Sequence, residues 1–301
     1  MQKITPHLWF DKEAKEAADF YVSVFPDSKV TNVRRITDTP SGDCDIVSFE
    51  IMGMKFQSIS AGPAFKINPS ASFMVNFDPS SEPDARKKLD KIWNKLTPGG
   101  KVMMPIDEYL FSKRYGWIED KYGVSWQLML TNPDSEKRSR IIPSMMFTKD
   151  ITGKAEEATD FYISVFKNTK RGTLARYPAG MDKELENMIM FTDFMLEGQW
   201  FAAMDSGRKH DFTFNEAISF MVSCEDQKEI DYYWDKLSAV PEAEQCGWLK
   251  DRYGFSWQIV PAIMTEMMTN SDEEKMARIT QVFLKMKKFD IAKLKKAAEG
   301  K

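Results

Sequence analysis

Two windows of the chain carry apolar side chains at the spacing of an amphipathic helix. In residues 13–25 and again in residues 155–166, apolar positions recur every three or four residues. Such steps place side chains on one face of a helix, so each window predicts a helix that packs one face on a core. In the first window these positions are Ala14, Ala17, Ala18, Tyr21, Val24 and Phe25.

Short extended runs surround each helical window. Residues 4–10 precede the first window, and Pro6 within them disfavours a helix. After the window, residues 46–51 and 55–60 flank Gly53. A glycine between two short extended runs is typical of an antiparallel hairpin. The pattern therefore predicts a strand, a helix and then a group of strands.

A second helix and a final hairpin follow. Ala85, Leu89, Ile92 and Leu96 recur at helical spacing, and a further turn begins at Asp120 in the sequence Asp-Lys-Tyr-Gly. Aspartate and glycine at these places are typical of a tight turn, so we interpret Asp120 as a turn residue. The complete series predicts two βαβββ units.

The series occurs twice because the sequence is duplicated. Residues 72–75 return unchanged as residues 219–222, and the block at 120–127 returns as a close variant at 251–258. The period is too long for a solenoid repeat, so we expect each copy to be a small domain. The predicted organisation is a first module at 1–132, a polar linker at 133–140, a second module at 141–262 and a C-terminal helical tail at 263–301.

The tail combines a helix with a lysine-rich end. Ser271 and Glu274 have the spacing of a capping box, and an apolar stripe that includes Met276 and Ile279 follows them. Residues 285–301 hold many lysines and few acids, which is typical of a solvated terminus, whereas an anionic partner site is the alternative.

Composition and charge exclude several classes of partner. The formal net charge is -3, so no overall basic field predicts nucleic acid binding. No apolar run has the length of a membrane span, and the first residues lack the pattern of a signal peptide. We therefore expect a cytoplasmic protein. Cys44, Cys224 and Cys246 are unclustered, which predicts reduced thiols and neither a disulfide framework nor a thiolate zinc site.

Three stretches of the second copy, residues 212–227, 232–237 and 246–261, resemble the PhnB-like branch of the vicinal oxygen chelate superfamily, and the likeness covers both copies. That superfamily includes glyoxalases, bleomycin-resistance proteins and dioxygenases. The resemblance implies an α+β fold of tandem modules, each with two βαβββ units that form a curled eight-stranded sheet around a cleft. Many members are labelled 3-demethylubiquinone-9 3-methyltransferase. The sequence gives that label no support, since Gly99 and Gly100 follow a predicted helix and no glycine-rich turn joins a strand to a helix.

The resemblance also implies where a metal would be held, and the residues there are poor ligands. The corresponding positions of the first copy are His7, Ser72 and Gln127, and those of the second are Ser144, Ser219 and Gln258. One imidazole among neutral amides and hydroxyls is a weak set for a divalent ion. We therefore expect no metal and no other cofactor, although substitute ligands from elsewhere in the chain are an alternative.

Side-chain alternation along the strands predicts which residues line each cleft. When these residues are grouped by copy, the cleft of the first copy is polar and aromatic, and we favour it for ligand binding. The second is more apolar. Their residues are His7, Trp9, Ser72 and Gln127 in the first copy, and Ser144, Met146, Ser219 and Gln258 in the second.

Several of these residues also have structural interpretations. His7 is a candidate acid or base, or a hydrogen-bonded structural histidine. Gln127 and Gln258 either orient a ligand or serve the architecture of both copies. His210 lies in a charged stretch and is expected to face water, and Cys246, which stands where the first copy has Tyr115, has no evident base to activate it. The paired tryptophans at 117, 126, 248 and 257 are expected in the core.

The favoured function is a metal-free protein that binds a small organic ligand without breaking a bond. The alternative is a glyoxalase-like enzyme in which His7 is the acid or base and Gln127 orients the substrate. A third alternative is a scaffold that uses the tail as a docking element. We expect either a monomer, in which the two modules pair within one chain, or a homodimer.

Overall fold

A computed structural model describes residues 2–180 and 183–300. Met1 and Lys301, at the outer ends of the first module and the tail, lie outside the described residues. The first copy contains eight strands and two helices, in an order that confirms the two predicted βαβββ units. They are β1 (Ile4–Phe10), α1 (Ala14–Val24), β2 (Lys29–Thr39), β3 (Gly42–Ile51), β4 (Met54–Ser60), β5 (Ala71–Phe77), α2 (Ala85–Leu96), β6 (Lys101–Tyr109), β7 (Ser112–Glu119) and β8 (Ser125–Leu130).

The second copy repeats the order with one strand fewer near its end, and the tail adds three helices. The predicted α+β tandem fold with a helical tail is thus confirmed. The elements are β9 (Ile141–Phe147), α3 (Ala155–Val165), β10 (Lys170–Arg176), β11 (Ile189–Leu196), β12 (Gln199–Asp205), β13 (Ile218–Cys224), α4 (Gln227–Leu237), β14 (Trp248–Lys250), β15 (Ser256–Pro261), α5 (Ile263–Asn270), α6 (Glu273–Phe283) and α7 (Ile291–Glu299).

The described strands form two mixed sheets, and each sheet takes one half from each copy. The seven-stranded sheet has the order β14-β15-β13-β1-β4-β3-β2, and the eight-stranded sheet has the order β10-β11-β12-β9-β5-β8-β7-β6. Antiparallel pairing of β1 with β13 joins the halves of the first sheet, and pairing of β5 with β9 joins those of the second. From the sequence we expect each copy to form its own sheet. The observed strand pairing differs, because each sheet contains strands of both copies.

The chain accordingly divides into two compact units that do not coincide with the repeats. Unit 1 contains Met1–Val22, Asp27–Ile67 and Asn215–Lys301, and unit 2 contains Ser23–Pro26 and Asn68–Phe214. The predicted linker at 133–140 joins β8 to β9 within unit 2. There the Asn76 side chain donates to the Ser139 carbonyl at 2.8 Å, so this polar segment is tied to the sheet.

The duplicated turn aspartates anchor the ends of both sheets. Asp251 Oδ1 accepts hydrogen bonds from the backbone N–H groups of Tyr253 and Phe255, and its Oδ2 accepts one from the Trp257 indole. Asp120 makes the equivalent bonds in the first copy. Trp126 and Trp257 are fully buried, as expected of core residues, and the interpretation of Asp120 and Asp251 as turn residues is confirmed.

The tail stands beside β14, where the second copy lacks a counterpart of β6. The Cys246 and Gly247 N–H groups donate to the carbonyls of Met286 and Lys287, both at 2.8 Å. The Lys288 amine forms an ion pair with Asp231 at 2.7 Å. The lysine-rich end is therefore bound to unit 1 as far as the structure describes it, and α7 buries Leu294.

The helix cap of the tail differs from the predicted one by one residue. The side chain of Asp272, and not that of Ser271, accepts the N–H of Lys275 at the start of α6. A carboxylate is an effective acceptor at a helix N-terminus because it satisfies a free N–H and interacts well with the helix dipole. The predicted apolar stripe is confirmed at Met276 and Ile279, which are buried.

Gly247 is required by the fit of the tail against β14. Its φ is +83°, and a Cβ at this position would lie 2.4 Å from the Phe289 ring. We expect Gly247→Ala to destabilise unit 1 by about 2–4 kcal/mol, because a left-handed backbone and an overpacked contact add together. The matched control is Gly254→Ala, which has a φ of +80° but no atom within 4 Å of the added Cβ.

Chemical denaturation gives the free energy of unfolding of the two variants. The difference between their losses of stability is the cost of the contact with Phe289. The control carries the backbone cost alone, about 1–2 kcal/mol. Equal losses of stability in the two variants would contradict a tight contact between Gly247 and Phe289.

Two candidate ligand faces

The seven-stranded sheet brings four of the predicted cleft residues together. His7 on β1 lies opposite Ser219 on β13, and the Gln258 Nε2 on β15 donates to the Ser219 Oγ at 2.9 Å. Trp9 follows on the same side of β1, and Trp248 lies opposite Gln258. We call this surface of unit 1 the His7 face.

The eight-stranded sheet brings together the other predicted residues. Ser72 on β5 lies opposite Ser144 on β9, and the Gln127 Nε2 donates to the Ser72 Oγ at 2.8 Å. Met146 follows on the same side of β9, and Trp117 lies opposite Gln127. We call this surface of unit 2 the Tyr115 face, after the residue whose hydroxyl donates to Gln127.

The predicted residues therefore lie on two faces, but each face draws on both copies. His7 was grouped with Ser72 and Gln127, whereas the structure places it with Ser219 and Gln258. The grouping by copy was wrong because the first strand of each copy pairs with the other copy. The sequence prediction that Gln127 orients a substrate beside His7 requires the two residues to lie together. The structure places Gln258 on the sheet of His7 instead. Whether these residues bind a ligand stays a prediction.

Aromatic rings surround the polar centre of the His7 face. The His7 and Trp248 rings meet edge to face at 5.4 Å between centroids. Trp9 lies 5.1 Å from Phe65, and its indole N–H donates to the Gly62 carbonyl at 2.8 Å. Sequence reasoning missed Phe65, which no periodic pattern marks. It also assigned Trp248 to the core, although its position beside the Ser-Trp-Gln strand was a usable signal.

His7 is a buried neutral imidazole. Its burial lowers the pKa from the ordinary 6.5 to about 3. Within the described part of the chain, its Nδ1 has no hydrogen-bond partner. A base with so low a pKa takes up a proton poorly near neutral pH, so the arrangement favours hydrogen bonding to a ligand over proton transfer.

The lowered pKa of His7 predicts that the protein loses stability at acidic pH. The folded-state pKa lies below the unfolded one, so the unfolded chain binds the proton more tightly and stability is greatest above pH 6.5. As the pH falls from 6.5 towards 3, we expect this residue alone to cost about 1 kcal/mol per pH unit. Denaturant unfolding between pH 7 and pH 5 measures the slope.

The matched variant for that measurement is His7→Ser, which installs the residue that the second copy has at this position. It should flatten the pH dependence. His210→Asn removes the only other histidine and controls for its titration. An unchanged slope in His7→Ser would show that His7 does not titrate as its burial implies.

Several polar groups of the Tyr115 face bond to one another, whereas the Ser144 Oγ is buried without a partner among the described residues. The Tyr115 hydroxyl donates to the Gln127 Oε1 at 2.7 Å, and the Trp117 indole donates to the Ser125 Oγ at 2.6 Å. Burial raises the pKa of Tyr115, so its hydroxyl stays protonated and acts as a donor. Methionine and aromatic side chains pack around them, namely Met103, Met104, Met129, Met146, Met204, Tyr109 and Phe212.

An open cavity of about 580 Å³ lies in unit 2. His210, Met103 and Phe212 line part of it. The expectation that His210 faces water was incomplete, because the residue is only partly exposed and its Nε2 lies 2.6 Å from the Ser206 Oγ. Burial lowers its pKa. Its ring also packs on Phe212, which explains why a charged stretch of sequence yields a half-buried histidine.

Cys246 has the properties of a structural thiol. Its burial raises the thiol pKa, which disfavours the nucleophilic thiolate. Its backbone N–H is bound to the tail, and its φ is +51°. Cys44 and Cys224 are buried, and all three cysteines are free thiols, in agreement with the sequence interpretation.

The residues on the two faces do not fit a metal ion. His7 is the only imidazole among them, and the amides of Gln127 and Gln258 are held by serine hydroxyls through their donor ends. Across the described residues, no three His, Cys, Asp or Glu side chains cluster in a way that could hold an ion. The two faces therefore supply no ligand set of the kind that a divalent ion requires.

The fold of this chain is similar to that of a solved structure of a plant glyoxalase. Glyoxalase I from Zea mays is 12% identical, with a TM-score of 0.51, over 87% of this chain and 95% of that one. A protein from Bacillus subtilis described as a dioxygenase is 11% identical, with a TM-score of 0.48, over 88% and 89% of the two chains. At 12% identity the likeness to the Zea mays structure concerns the fold alone.

The amino-acid sequence identifies the family to which the chain belongs. It matches the family described as 3-demethylubiquinone-9 3-methyltransferase over residues 2–129 and 139–260, and the chain belongs to that family. A PhnB protein from Bacillus cereus with the same description is 33% identical, with a TM-score of 0.39, and the alignment covers 43% of this chain and 100% of that one. No curated protein matches the sequence. Among the described helices, none has the length and apolar character needed to cross a bilayer.

Proposed function

We propose that this protein binds a small organic molecule on the His7 face and does so without a metal. The observation that carries the proposal is the buried Nδ1 of His7, which has no partner among the described residues. The His7 ring contacts Trp248, which packs on Trp9, and Trp9 packs on Phe65. An unpaired buried polar atom costs free energy that a ligand can recover. The aromatic rings offer apolar contact area and a stacking geometry.

The proposal favours binding over catalysis. His7 has a pKa of about 3, so it is a weak general base at neutral pH. Burial also raises the thiol pKa of Cys246, which disfavours that residue as an activated nucleophile. A glyoxalase-like enzyme with His7 as acid or base is the alternative that the experiment below separates from pure binding.

The experiment uses the purified full chain and a panel of small aromatic and carbonyl compounds. A compound that raises the melting temperature is then titrated by calorimetry into the wild type, His7→Ser and Ser144→Ala. We expect His7→Ser to weaken binding about tenfold, the value of one hydrogen bond in a buried site. Ser144→Ala changes the equivalent position of unit 2 and should leave the affinity unchanged. Equal affinities of all three proteins would exclude the His7 face.

Two further measurements separate the alternatives. Turnover of a bound compound that His7→Ala abolishes would establish the enzyme in place of the binding protein. Binding should also persist after exhaustive dialysis against a chelator, with metal content far below one equivalent. Loss of binding on dialysis, and its return with a divalent ion, would contradict the metal-free proposal.

The methyltransferase description of the family is not part of the proposal. Cofactor sites of the doubly wound type depend on a glycine-rich turn between a strand and a helix, where the backbone approaches the cofactor closely. In this chain the turns that lead from strands into helices contain a single glycine, Gly153, before α3. Both sheets are mixed, with parallel pairs only between β1 and β4, β5 and β8, β9 and β12, and β13 and β15.

We further propose that the protein acts as a monomer in the cytoplasm. Pairing of β1 with β13 and of β5 with β9 already joins complementary halves within one chain, so no second chain is needed to complete either sheet. Sedimentation equilibrium measures the assembly state. A mass of two chains at micromolar concentration would favour the homodimer.

A further inference from the structure

The two ligand faces differ in the groups that bond to the glutamine at the centre of each face, which is Gln127 in unit 2 and Gln258 in unit 1. Trp248 of unit 1 lies opposite Gln258, as Trp117 of unit 2 lies opposite Gln127. The residues before each tryptophan differ in structure, because Tyr115 and Gly116 lie in β7 whereas Cys246 and Gly247 form the turn between Gln245 and Trp248. The residue before the glycine is Tyr115 in unit 2 and Cys246 in unit 1. The phenol that bonds to Gln127 in unit 2 therefore has no tyrosine counterpart at the aligned position of unit 1.

In the Tyr115 face both ends of the glutamine amide are occupied from within the chain. The Nε2 of Gln127 donates to Ser72 at 2.8 Å, and its Oε1 accepts the hydroxyl of Tyr115 at 2.7 Å. In the His7 face the Nε2 of Gln258 donates to Ser219 at 2.9 Å in the same way. Among the described residues no hydroxyl donates to its Oε1, and the residue that aligns with the tyrosine in sequence is Cys246.

A second observation marks the His7 face as incomplete. Ser125 of unit 2 accepts the Trp117 indole, whereas the equivalent Ser256 Oγ of unit 1 is buried without a partner among the described residues. Trp248 instead packs against the His7 ring. Ser256 and Gln258 lie on the same side of β15, so the unpaired Ser256 Oγ stands next to the Gln258 amide.

We propose that the ligand of the His7 face is a phenol, whose ring hydroxyl donates to the Gln258 Oε1 in the place that the Tyr115 hydroxyl takes in unit 2. The inference rests on the proposed function and names its ligand class. A phenol has an ordinary pKa near 10, so it is a neutral donor at pH 7. Its ring lies among Trp9, Phe65 and Trp248, which provide edge and face contacts. Unit 2 therefore contains, as its own Tyr115, the group that unit 1 takes from solution.

The direct test compares three probes of matched shape on the wild-type chain. The probes are 4-methylphenol, 4-methylanisole and toluene, and calorimetry or ligand-observed magnetic resonance measures their affinity. We expect 4-methylphenol to bind about tenfold more tightly than the other two, because only it can donate to the amide. In Gln258→Met, which keeps the length but removes the acceptor, the preference should disappear. Asp235→Asn, at an exposed position of α4, is the control and should keep it.

The outcomes separate the two proposals. Binding of all three probes with similar affinity leaves the His7 face as a ligand site but overturns the phenol. Absence of binding by any probe overturns both. A preference for the phenol that survives in Gln258→Met also overturns the inference, because the hydroxyl then has a different acceptor.

A complementation experiment tests the template in unit 2 independently. Tyr115→Ala removes the phenol beside Gln127, and Tyr115→Phe removes only its hydroxyl. We expect 4-methylphenol to raise the melting temperature of Tyr115→Ala and to leave that of Tyr115→Phe unchanged, since the retained ring occupies the space. If 4-methylphenol does not stabilise Tyr115→Ala more than 4-methylanisole does, the tyrosine is not a model for the ligand and the inference is overturned.

Discussion

Replacement of Arg138 by methionine will lower the free energy of unfolding by about 3–5 kcal/mol, the usual cost of leaving one member of a buried ion pair alone. The Arg138 Nε donates to the Asp193 Oδ2 at 2.6 Å. The two side chains are 14% and 6% exposed, so water cannot replace the arginine. Its guanidinium also lies 3.8 Å from the Trp200 ring centre. Methionine keeps much of the apolar contact and removes the charge.

Lys137→Met is the matched control, because Lys137 is the adjacent residue and its side chain is 75% exposed. Its loss should cost less than about 0.5 kcal/mol. The double variant Arg138→Met with Asp193→Asn should recover part of the stability, since the amide is neutral and its oxygen can still accept the Thr173 N–H. Guanidinium unfolding followed by circular dichroism measures all three proteins. A cost below about 1 kcal/mol for Arg138→Met would mean that the pair is solvated.

Asp251→Ala is expected to be as costly, at about 3–5 kcal/mol. The substitution removes the acceptor of two backbone N–H groups and of the Trp257 indole, each of which is buried near the end of the sheet of unit 1. Each unsatisfied buried donor costs about 1–3 kcal/mol. Because Trp257 is fully buried, it cannot turn its indole towards water.

Two variants test the reason for that loss. Asp251→Asn keeps an oxygen for the backbone donors but points an amide N–H₂ group at the indole, so an intermediate loss is expected. Asp235→Ala removes an aspartate whose side chain is 73% exposed and should change stability by less than about 0.5 kcal/mol. Asp120→Ala should reproduce the loss of Asp251→Ala in unit 2, because the duplicated turn has the same three acceptor contacts. A neutral result in either copy would contradict the anchoring role.

The candidate residues show how far sequence reasoning reaches. Alternation along the strands correctly placed His7 beside Trp9, and Ser144 beside Met146, since neighbours along one strand depend only on the local period. The same reasoning grouped His7 with Gln127. That grouping was wrong because partnership across strands depends on which segments pair, and a duplicated chain has two equivalent choices for each first strand.

Other parts of the site depend on packing that no local pattern records. Phe65 reaches the His7 face from a loop, and Trp248 lies against His7 although its repeat partner Trp117 binds a serine. The substitution of Cys246 for Tyr115 is visible in the sequence. Its consequence, an amide oxygen without its tyrosine hydroxyl, becomes visible only when the faces of the two units are compared.

The amino-acid sequence by itself determined the order of strands and helices, the duplication, the family and the aspartate-centred turns, because these depend on local periodicity and on contacts between near neighbours. The tertiary structure alone decided that the repeats exchange halves, that the tail takes the place of a missing strand, and which polar groups of the His7 face lack a partner. Those features depend on competition between distant segments for the same strand edges and on the burial that follows, and neither is encoded in any single window of the chain.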